Sequence, residues 1–372
     1  MQNYPTQLTT MHDNFLDFRT AVKKELQTYL AERYETFSYL SESSADFFNQ
    51  LRLANEGGKQ FRASFSYWGW QTQQQQITAP NTSLVKLGAA LELFQTAALL
   101  LDDVMDNSAM RRGKPTAHEI FQTQHQERGF SGSARDYGRN VAILLGDLSL
   151  VMSESLFVSA LTGLSEERWL LCQSHFQAMR QEVSVGQFLD TYAQAQPIAR
   201  PTVASIKLSE QVIQLKTAHY SVERPLVLGA ALAGANTDEL KVLSAIGLKL
   251  GTVFQLRDDI LGVFGSADKT GKPSGDDLRE GKRTPLLLAA LQLSDAVALA
   301  DLQRIVGNSA ASETEITQVQ DLIVRLGAKD AIESEITRLA NETLELLNQA
   351  SLPEHAKKGL VSLLEKVAYR ES

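Results

Sequence analysis

Apolar residues recur at helical spacing along most of the chain. Their spacing predicts helices over residues 13–54 in two segments, 84–105, 140–156, 166–192, 206–224 and 242–264, with further helices within 285–372. Polar stretches, several of them rich in Gly, Ser or Pro, predict loops at 71–76, 123–138 and 194–201. Alternating apolar and polar residues are scarce, and no segment carries a β-hairpin signature. The pattern therefore predicts an all-α bundle.

The composition is that of a globular chain with an excess of acid. Of the 372 residues, 43% are hydrophobic, which is enough for a substantial core in one large or two ordinary domains. The 36 basic and 44 acidic residues leave a net charge of -8. We therefore expect no overall electrostatic attraction to nucleic acid or to an anionic membrane.

Cysteine content and the N-terminal residues bear on the compartment. The one cysteine, Cys172, excludes an intramolecular disulfide and fits a reducing cytosol, and we expect it to be buried. Residues 1–5 have neither the basic nor the apolar segment of a signal peptide. No uninterrupted apolar run approaches the roughly 18 residues of a membrane span. These observations predict a cytoplasmic protein without stable membrane insertion.

An acidic cluster closes the helix predicted over 84–105. Asp102 and Asp106 are four residues apart and project from one helix face, with Asp103 turned roughly 100° away. Carboxylates placed in this way suit Mg²⁺, which takes one or two of them and completes its octahedron with water and phosphate oxygens. Arg111 and Arg112 follow and could grip the phosphate. The alternative is a solvated helix end whose acids and bases pair locally.

A second acidic cluster closes the helix predicted over 242–264. Asp258 and Asp259 end this helix, and Gln255 lies one turn before them. The loop after it, over 269–284, is dense in Gly, Lys and Asp and is typical of a lid that handles phosphate. Two acidic helix ends, each followed by basic residues, favour polyphosphate binding over local pairing.

Two further polar features have open interpretations. Lys59 and Arg62 follow a Gly-Gly turn at a helix start, where free N–H groups and the helix dipole favour an anion. A solvated basic turn explains them equally well. Gln95 lies on nearly the same helix face as Asp102 and needs a hydrogen-bond partner, which could be a phosphate, a backbone carbonyl or water.

The constellation predicts a substrate with a diphosphate head and a hydrocarbon tail, because the helices that lead to the acids are apolar. The chemistry available is ionisation, in which metal and cationic side chains stabilise departing pyrophosphate. A dry cavity would protect the carbocation from water.

Over roughly residues 50–300 the motifs resemble those of the trans-isoprenyl diphosphate synthases, or polyprenyl synthetases. The stretch 102–106 is similar to the first aspartate-rich motif of that family, 258–262 to the second, and 265–284 to its Gly-Lys-Pro and Asp-Leu-Arg-Glu-Gly-Lys segment. The resemblance implies that an allylic diphosphate ionises and isopentenyl diphosphate attacks the cation through its double bond. Proton loss to pyrophosphate then completes the extension.

The resemblance also implies residue roles. Isopentenyl diphosphate would be held by Lys59, Arg62, Gln95 and Arg112. The allylic diphosphate would be held by Arg111, Lys216, Thr217, Gln255, Lys272 and Lys282. Three Mg²⁺ ions would be bound by Asp102, Asp106 and Asp258, supported by Asp103, Asp259 and Asp190. The Lys216 carbonyl, the Thr217 hydroxyl and Gln255 would face the developing cation. Gln187 and Asp190 match a motif that supports the allylic side.

The chain departs from the family pattern at two positions. Gly262 stands where many members have a third aspartate, which argues against a metal ligand there, and Gln95 replaces a frequent histidine.

Two other functions are alternatives to a catalytic synthase. A class I terpene cyclase shares the fold and the first motif, but its Asn/Asp, Ser/Thr, Glu triad is not supplied by Asp258 and Asp259. A non-catalytic partner subunit of a heteromeric synthase should have lost acids or bases, and both sets look intact.

Product length and assembly complete the expectations. Ala97 and Ala98, about one turn before Asp102, stand where bulky aromatics often occur in members that stop at fifteen carbons. Phe94, one turn further back, could form the cavity floor for a twenty-carbon geranylgeranyl product. Alternatively, Phe94 packs in the ordinary way and a residue on another helix sets the product length.

The resemblance implies a homodimer of single all-α domains, each with ten or more helices around a deep apolar cavity. Residues 1–54 would be peripheral, 55–300 the catalytic core and 301–372 C-terminal helices.

Overall fold

Helices account for most of the structure, a computed structural model that describes residues 4–266 and 274–370. Its α-helices are α1 Tyr4–Phe37, α2 Glu42–Ala54, α3 Phe61–Gln71, α4 Thr82–Asp106, α5 Ala117–Glu127, α6 Ala134–Ala160, α7 Glu166–Gln194, α8 Val203–Val212, α9 Arg224–Ala233 and α10 Thr237–Phe264. They continue with α11 Asp276–Glu280, α12 Pro285–Leu293, α13 Ala296–Ile305, α14 Glu313–Arg325, α15 Ala328–Gln349 and α16 Glu354–Ala368. A 3₁₀-helix spans Ser38–Leu40 and a π-helix Ile213–Glu223. The all-α prediction is confirmed.

The two helices that end in acidic motifs begin at recognisable capping residues. Asn81 accepts the N–H of Leu84 at the start of α4. Asn236 and Glu239 form a reciprocal capping box at the start of α10. These caps satisfy backbone donors that have no partner in the first helical turn. They therefore fix where each helix begins and, through its length, where each acidic end falls.

Contacts between Cα atoms divide the chain into two compact units. Unit 1 comprises residues 1–172 and 228–235, and unit 2 comprises 173–227 and 236–372. The expectation of one domain over 1–372, with its three subdivisions, stays a prediction.

Unit 1 is built on the packing of α4 against α6. Leu91 and Leu93 of α4 and Leu145 and Phe157 of α6 are fully or almost fully buried. The Ser153 hydroxyl of α6 donates to a carbonyl of α4 at 2.8 Å. This packing holds the helix that carries the first acidic motif.

Unit 2 is built around α10. On one side the π-helix lies so close that a Cβ at Gly247 or Gly251 would meet its backbone at 2.8 and 2.6 Å. On the other side Arg257 donates to both oxygens of Glu333, at 2.9 and 2.6 Å, and to the carbonyl of Ala368 at 2.7 Å. The helix of the second acidic motif is thereby tied to α15 and to the end of α16.

The expected absence of a β-hairpin is wrong at one place. Strand β1, Met110–Arg111, pairs antiparallel with strand β2, Lys114–Pro115. The connecting residues Arg112 and Gly113 both have positive φ, 52° and 73°, as a two-residue hairpin turn of the primed type requires. Flanking strands of only two residues give no alternating pattern, and so the sequence carried little signal.

The loop predicted at 123–138 is too long, because α5 continues to Glu127 and α6 begins at Ala134, which leaves a loop only over 128–133. Gly138, which counted toward the loop, lies inside α6. A Cβ at this position would overlap the carbonyl of His118, so glycine is needed for close helix packing. The kink or end expected at Arg224-Pro225 is instead a change from the π-helix to α9 in a chain that stays helical.

Two helices, Thr82–Asp106 and Ala134–Ala160, are long and apolar enough to span a membrane by length and composition alone. The 18-residue windows that meet this criterion are 61% and 44% buried inside the protein. A core helix passes the same test, so this finding is weak evidence for insertion.

Candidate active site

The first acidic motif lies at the end of α4 in unit 1. Asp103 is 4% exposed, and Arg111 Nε donates to its two carboxylate oxygens at 2.7 and 2.9 Å, with Nη2 at 2.5 Å from Oδ1. The same guanidinium lies 3.7 Å from Asp102. Asp102 and Asp106 are half-buried one turn apart. The hairpin therefore brings Arg111 back onto the acids, eight residues after Asp103.

The hairpin also places Arg112 over the glycine turn that precedes α3. Its Nη1 donates to the carbonyl of Glu56 at 3.2 Å. A Cβ at Gly58 would lie 3.1 Å from Nη2, and Gly58 has a φ of 89°, so glycine suits this position twice over. Arg112 and the turn thus form one basic surface, and the expectation that it holds isopentenyl diphosphate stays a prediction.

Two residues outside the sequence expectation organise this surface. Glu92 of α4 accepts the N–H of Ala63 at 3.0 Å, so a carboxylate already uses one donor of the α3 N-terminus. Burial raises the pKa of Glu92, and the guanidinium groups of Arg62, Arg112 and Arg19 oppose that rise. Glu92 therefore attracts the guanidinium groups of all three arginines to this surface. Its signal in the sequence was its position three residues before Gln95, on the same helix face.

Arg19 of α1 holds the turn itself. Its Nε donates to the side-chain oxygen of Gln60 at 3.3 Å, and its Nη2 donates to the carbonyl of Lys59 at 3.1 Å. Gln60 has a φ of 52°, in the left-handed region that non-glycine residues occupy at a cost. The N-terminal helix, expected to be peripheral packing, thus contributes a contact to the basic surface. No local pattern around residue 19 indicated it.

The residues expected to limit product length lie on α4. Phe94 and Ala97 are buried, and Ala98 is half-buried.

In unit 2 the π-helix carries Lys216 and Thr217. Lys216 Nζ donates to Asp190 Oδ2 of α7 at 2.6 Å. One turn before Asp190, a Cβ at Gly186 would overlap the backbone at Lys216, so α7 and the π-helix are in direct contact there. Gln187, on the neighbouring position of α7, is half-buried. The lysine is thereby held by the carboxylate of the Gly-Gln-x-x-Asp stretch.

The second acidic motif is more buried on one side than on the other. The Asp258 side chain is 43% exposed and pairs with Arg370 near the C-terminus, whose guanidinium lies 4.2 Å from the ring centre of Phe254. Asp259 is 2% exposed and accepts Gln255 Nε2 at 2.7 Å. Burial raises the pKa of Asp259 well above its ordinary value, and the neighbouring carboxylates of Asp277, Asp258 and Asp190 raise it further.

Asp277 is a member of this cluster that the sequence analysis did not single out. A Cβ at Gly262 would overlap its carboxylate, so the carboxyl group of Asp277 occupies the space beside the residue where a third aspartate was missing. Lys282 lies 4.0 Å from Asp277 and 2.8 Å from Glu280. Lys272 lies outside the described residues. The signal for Asp277 was its place in the Asp-Leu-Arg-Glu-Gly-Lys segment.

A half-buried charged group lies where the π-helix joins α9. Arg224 Nε donates to Glu182 at 2.9 Å, and its Nη1 lies 3.2 Å from His175 Nδ1. Burial lowers the pKa of His175, and Arg224 lowers it further. This network ties the start of α9 to α7.

The donor set determines which metal could bind. Within residues 4–266 and 274–370, no three Asp, Glu, His or Cys side chains converge as a preformed cage. Each acidic helix end offers instead one or two carboxylates. That set fits Mg²⁺, which keeps several waters and takes substrate phosphate oxygens, and it does not fit an ion that needs an all-protein cage.

Comparison with known proteins decides the family. A family model described as polyprenyl synthetase matches residues 49–323. The chain belongs to the polyprenyl synthetase family. Geranylgeranyl diphosphate synthase of Sulfolobus acidocaldarius is 30% identical over 71% of this chain and 73% of its own length. Geranylfarnesyl diphosphate synthase of Aeropyrum pernix is 30% identical over 75% and 80%.

A solved structure agrees with this assignment. Geranylgeranyl pyrophosphate synthase of Corynebacterium glutamicum, complexed with isoprenyl diphosphate and magnesium, is 33% identical. The match covers 95% of this chain and 98% of that one, with a TM-score of 0.88. The resemblance drawn from the motifs is confirmed, and this polyprenyl synthetase is a trans-prenyltransferase.

Proposed function

We propose that the protein condenses isopentenyl diphosphate with an allylic diphosphate in a Mg²⁺-dependent reaction whose product is geranylgeranyl diphosphate. The observation that carries this proposal is the pair of acidic helix ends, each beside basic residues. The names of the similar synthases, and the isoprenyl diphosphate and magnesium in the structure of the Corynebacterium glutamicum enzyme, support it. Cytoplasmic location is part of the same proposal.

On the allylic side, the carbon–oxygen bond of the allylic diphosphate breaks and pyrophosphate leaves. Lys216, Arg111, Lys282 and Lys272 would hold the diphosphate. Lys216 is oriented by Asp190 at 2.6 Å, and Arg111 by Asp103, so two of the four cations have fixed positions before substrate arrives. Such preorganised charges lower the barrier because they need no reorientation as negative charge develops.

The metal sites follow from the carboxylates. Asp102 and Asp106 would share two Mg²⁺ ions and Asp258 would take a third, with Asp103 and Asp190 in support. When bound, the ions neutralise the charge that develops on pyrophosphate. The half-buried pair at the end of α4 and the partly exposed Asp258 leave room for water and phosphate oxygens.

On the other side, Lys59, Arg62, Gln95 and Arg112 would hold isopentenyl diphosphate. Its double bond then forms the new carbon–carbon bond with the allylic cation, and a proton is lost to pyrophosphate. The Lys216 carbonyl, the Thr217 hydroxyl and the Gln255 side chain would face the cation. Thr217 and Gln255 are hydrogen-bonded to each other, which fixes both toward the same place.

Product length is assigned to α4. Alanines at 97 and 98 leave depth that an aromatic residue would fill, and Phe94 would close the cavity one turn further back. The named relatives make products of different lengths, so the assignment rests on these three side chains. We expect Ala98→Phe to shorten the product and Phe94→Ala to lengthen it, measured by chromatography of the dephosphorylated products. Unchanged product lengths in both variants would move the limit to another helix.

The proposal includes a homodimer. Leu144, Val151 and Val158 of α6 are exposed and follow one another at seven-residue intervals, so they form one apolar stripe. The opposite face of α6 is buried on α4. We assign the stripe to a second copy of this chain. Sedimentation equilibrium of the wild type and of Val151→Glu tests this, since the charged variant should be monomeric.

The central experiment incubates the purified protein with isopentenyl diphosphate, Mg²⁺ and each allylic primer in turn. Radiolabelled isopentenyl diphosphate should enter a twenty-carbon diphosphate. A terpene cyclase would instead release hydrocarbon from an allylic diphosphate alone. A non-catalytic subunit would give no product without a partner chain, and either result would contradict the proposal.

A further inference from the structure

Three side chains in unit 2 form one directed row of hydrogen bonds. The Thr217 hydroxyl donates to Gln255 Oε1 at 2.5 Å, and Gln255 Nε2 donates to Asp259 Oδ1 at 2.7 Å. Thr217 and Asp259 are both buried, and Gln255 is half-buried between them. The row therefore runs from the interior carboxylate to the residue on the π-helix.

Close backbone packing fixes the geometry of the row. Gly247 and Gly251 precede Gln255 and Asp259 on the same face of α10 at four-residue spacing. A Cβ at Gly251 would lie 2.6 Å from the Cα of Ala218, the residue after Thr217. The two helices thus meet backbone to backbone just before the row begins. This contact holds Thr217 and Gln255 opposite each other, so their hydrogen bond forms without a backbone rearrangement.

The chemistry of Asp259 decides the direction of the row. The hydrogen-bonded oxygen of a carboxylate only accepts, and the nitrogen end of an amide only donates. Asp259 therefore selects the amide orientation in which Gln255 turns its oxygen to Thr217. Oδ2 of Asp259 has no hydrogen-bond partner among the described residues. A proton on Oδ2 would leave Oδ1 an acceptor, so the carboxylate and the acid protonated on Oδ2 set the same direction.

The orientation of Gln255 in turn decides what Thr217 presents. Because Gln255 offers only an acceptor, the Thr217 proton points toward Gln255 and the lone pairs of Oγ1 point away from it. A reversed amide would offer a donor, Thr217 would accept, and its proton would turn outward. Near a carbocation the first arrangement is attractive and the second repulsive, and a dry site strengthens both effects.

We infer that Asp259 is a positioning residue that acts through Gln255 to turn the Thr217 hydroxyl oxygen, and not its proton, toward the positive charge of the allylic partner. This rests on the proposed function, in which Thr217 faces that charge. It assigns Asp259 a role different from the expected support of metal. Asp258 and Asp259 then have separate duties although they are adjacent.

The test compares Asp259→Asn with Asp259→Leu in the full-length protein. Asparagine can offer its oxygen to Gln255 Nε2 while its NH2 group takes the place of Oδ2, because the carboxylates of Asp277, Asp258 and Asp190 around this position favour a donor. Leucine offers no acceptor. We expect the asparagine variant to keep kcat within about threefold and the leucine variant to lose about 10–100-fold, with KM for both diphosphates little changed. If Asp259 supported metal, both variants would lose activity and need more Mg²⁺. That result would overturn the inference.

A double-mutant cycle checks the route of the effect. Because Asp259 acts only through Gln255, Asp259→Leu should cost almost nothing further once Gln255→Leu is present. Thr217→Ser, which keeps the hydroxyl, should lose much less activity than Thr217→Val, which removes it. Losses that multiply in the double variant would show that Asp259 acts elsewhere, and the inference would fail.

A binding measurement separates this inference from the proposed function. Calorimetry compares a diphosphate that carries an ammonium group at the cationic carbon with its neutral isostere. Asp259→Leu should weaken the binding of the ammonium compound about tenfold and leave the affinity for the neutral isostere unchanged. This holds even if the wild type turns over no primer. Should the leucine variant fail to fold, Asp259→Met removes the same acceptor with a flexible side chain. Equal affinities in wild type and variant would overturn the inference, whereas an inactive wild type would overturn only the proposed function.

Discussion

The two acidic motifs use the same pair of residues in opposite surroundings. Each places adjacent aspartates at the end of a long apolar helix, and in each the second aspartate, Asp103 or Asp259, is almost fully buried. Asp103 is held by the guanidinium of Arg111, which comes back over it on a hairpin. Asp259 is held by the neutral amide of Gln255, one turn earlier on the same helix.

This difference shows that a pair of adjacent aspartates in the sequence does not by itself determine the role of the second aspartate. The guanidinium of Arg111 compensates the buried negative charge of Asp103, and Asp103 in turn holds that guanidinium in place. Within residues 4–266 and 274–370 no cation is hydrogen-bonded to Asp259, and burial together with three other carboxylates raises its pKa. Asp103 therefore positions a charge, and Asp259 positions a dipole.

The first aspartates of the two motifs should behave alike, and this is the largest effect that we expect. Asp102→Ala and Asp258→Ala each remove a carboxylate proposed to bind metal, so kcat/KM at limiting Mg²⁺ should fall by about 10²–10³-fold. Circular dichroism should show the fold retained, since removal of one acid from a cluster relieves repulsion. Near-normal turnover in either variant would end the metal assignment for that motif.

The second aspartates should respond differently to the same substitution. Asp103→Asn removes the charged partner that Arg111 contacts most closely and leaves it Asp102 at 3.7 Å. Loss of the charge-assisted hydrogen bond predicts a reduction of about 10–100-fold in kcat/KM for the allylic substrate. Asp259→Asn keeps the acceptor that Gln255 needs and should stay within about threefold. Steady-state kinetics of both variants in one assay tests the comparison directly. Equal losses would show that the two residues have the same role.

Much of this arrangement was predictable because it is local in sequence. The i, i+4 relation of Asp102 and Asp106 and the acidic end of α10 follow from helical periodicity. The Lys216-Thr217 pair was indicated only by the resemblance to the family. The contacts that were missed are distant in sequence. Arg370 reaches Asp258 across 112 residues, and Arg19 reaches Gln60 across 41. Such pairs leave no periodic signal, because only the packed fold brings them together.

Arg370 allows the exposed side of the second motif to be probed. Its guanidinium pairs with Asp258 and stacks on Phe254, so it competes with any metal ion for that carboxylate. Arg370→Gln should therefore tighten Mg²⁺ binding about 3–10-fold, because a partly buried charged pair no longer has to be broken. Calorimetric titration with MgCl₂ measures this. Arg338→Gln, at an exposed arginine paired with Glu335 and Glu342, is the matched control and should change nothing. Weaker binding in Arg370→Gln would show that the arginine assists the metal.

Arg19 offers the corresponding probe of the basic surface in unit 1. Arg19→Ala releases Lys59 and Gln60, and loss of two hydrogen bonds predicts a KM for isopentenyl diphosphate that rises about 3–10-fold, with the allylic KM unchanged. Gln60→Gly in the Arg19→Ala background should restore part of the affinity, because glycine adopts positive φ without strain. Arg19→Lys separates charge from geometry, since lysine cannot make the forked contact. A rise in the allylic KM alone would contradict the assignment of this surface.

The smallest expected effect concerns acid stability, which extends the contrast between the two units to their buried histidines. Burial lowers the pKa of His118 in unit 1 and of His175 in unit 2 below the ordinary value of 6.5. The unfolded chain then takes up a proton near pH 6.5 before the folded protein does. Stability is therefore complete above about pH 6.5 and is lost as the pH falls below it. After burial, the largest influence on the pKa of His118 comes from Glu119 and Asp103, which favour a proton, whereas the largest influence on the pKa of His175 comes from Arg224, which opposes one. Glu223 and Glu182 partly offset the effect of Arg224.

Urea unfolding at pH 7.5 and 5.5 should consequently show a smaller acid loss in His175→Gln than in the wild type, and a weaker change in His118→Gln. Asp103→Asn should enlarge the acid loss, because it removes a carboxylate that favours protonated His118 while leaving His175 untouched. This last variant connects the acid sensitivity of unit 1 to the first motif. An acid loss that is the same in all four proteins would show that neither histidine titrates differently in the folded state.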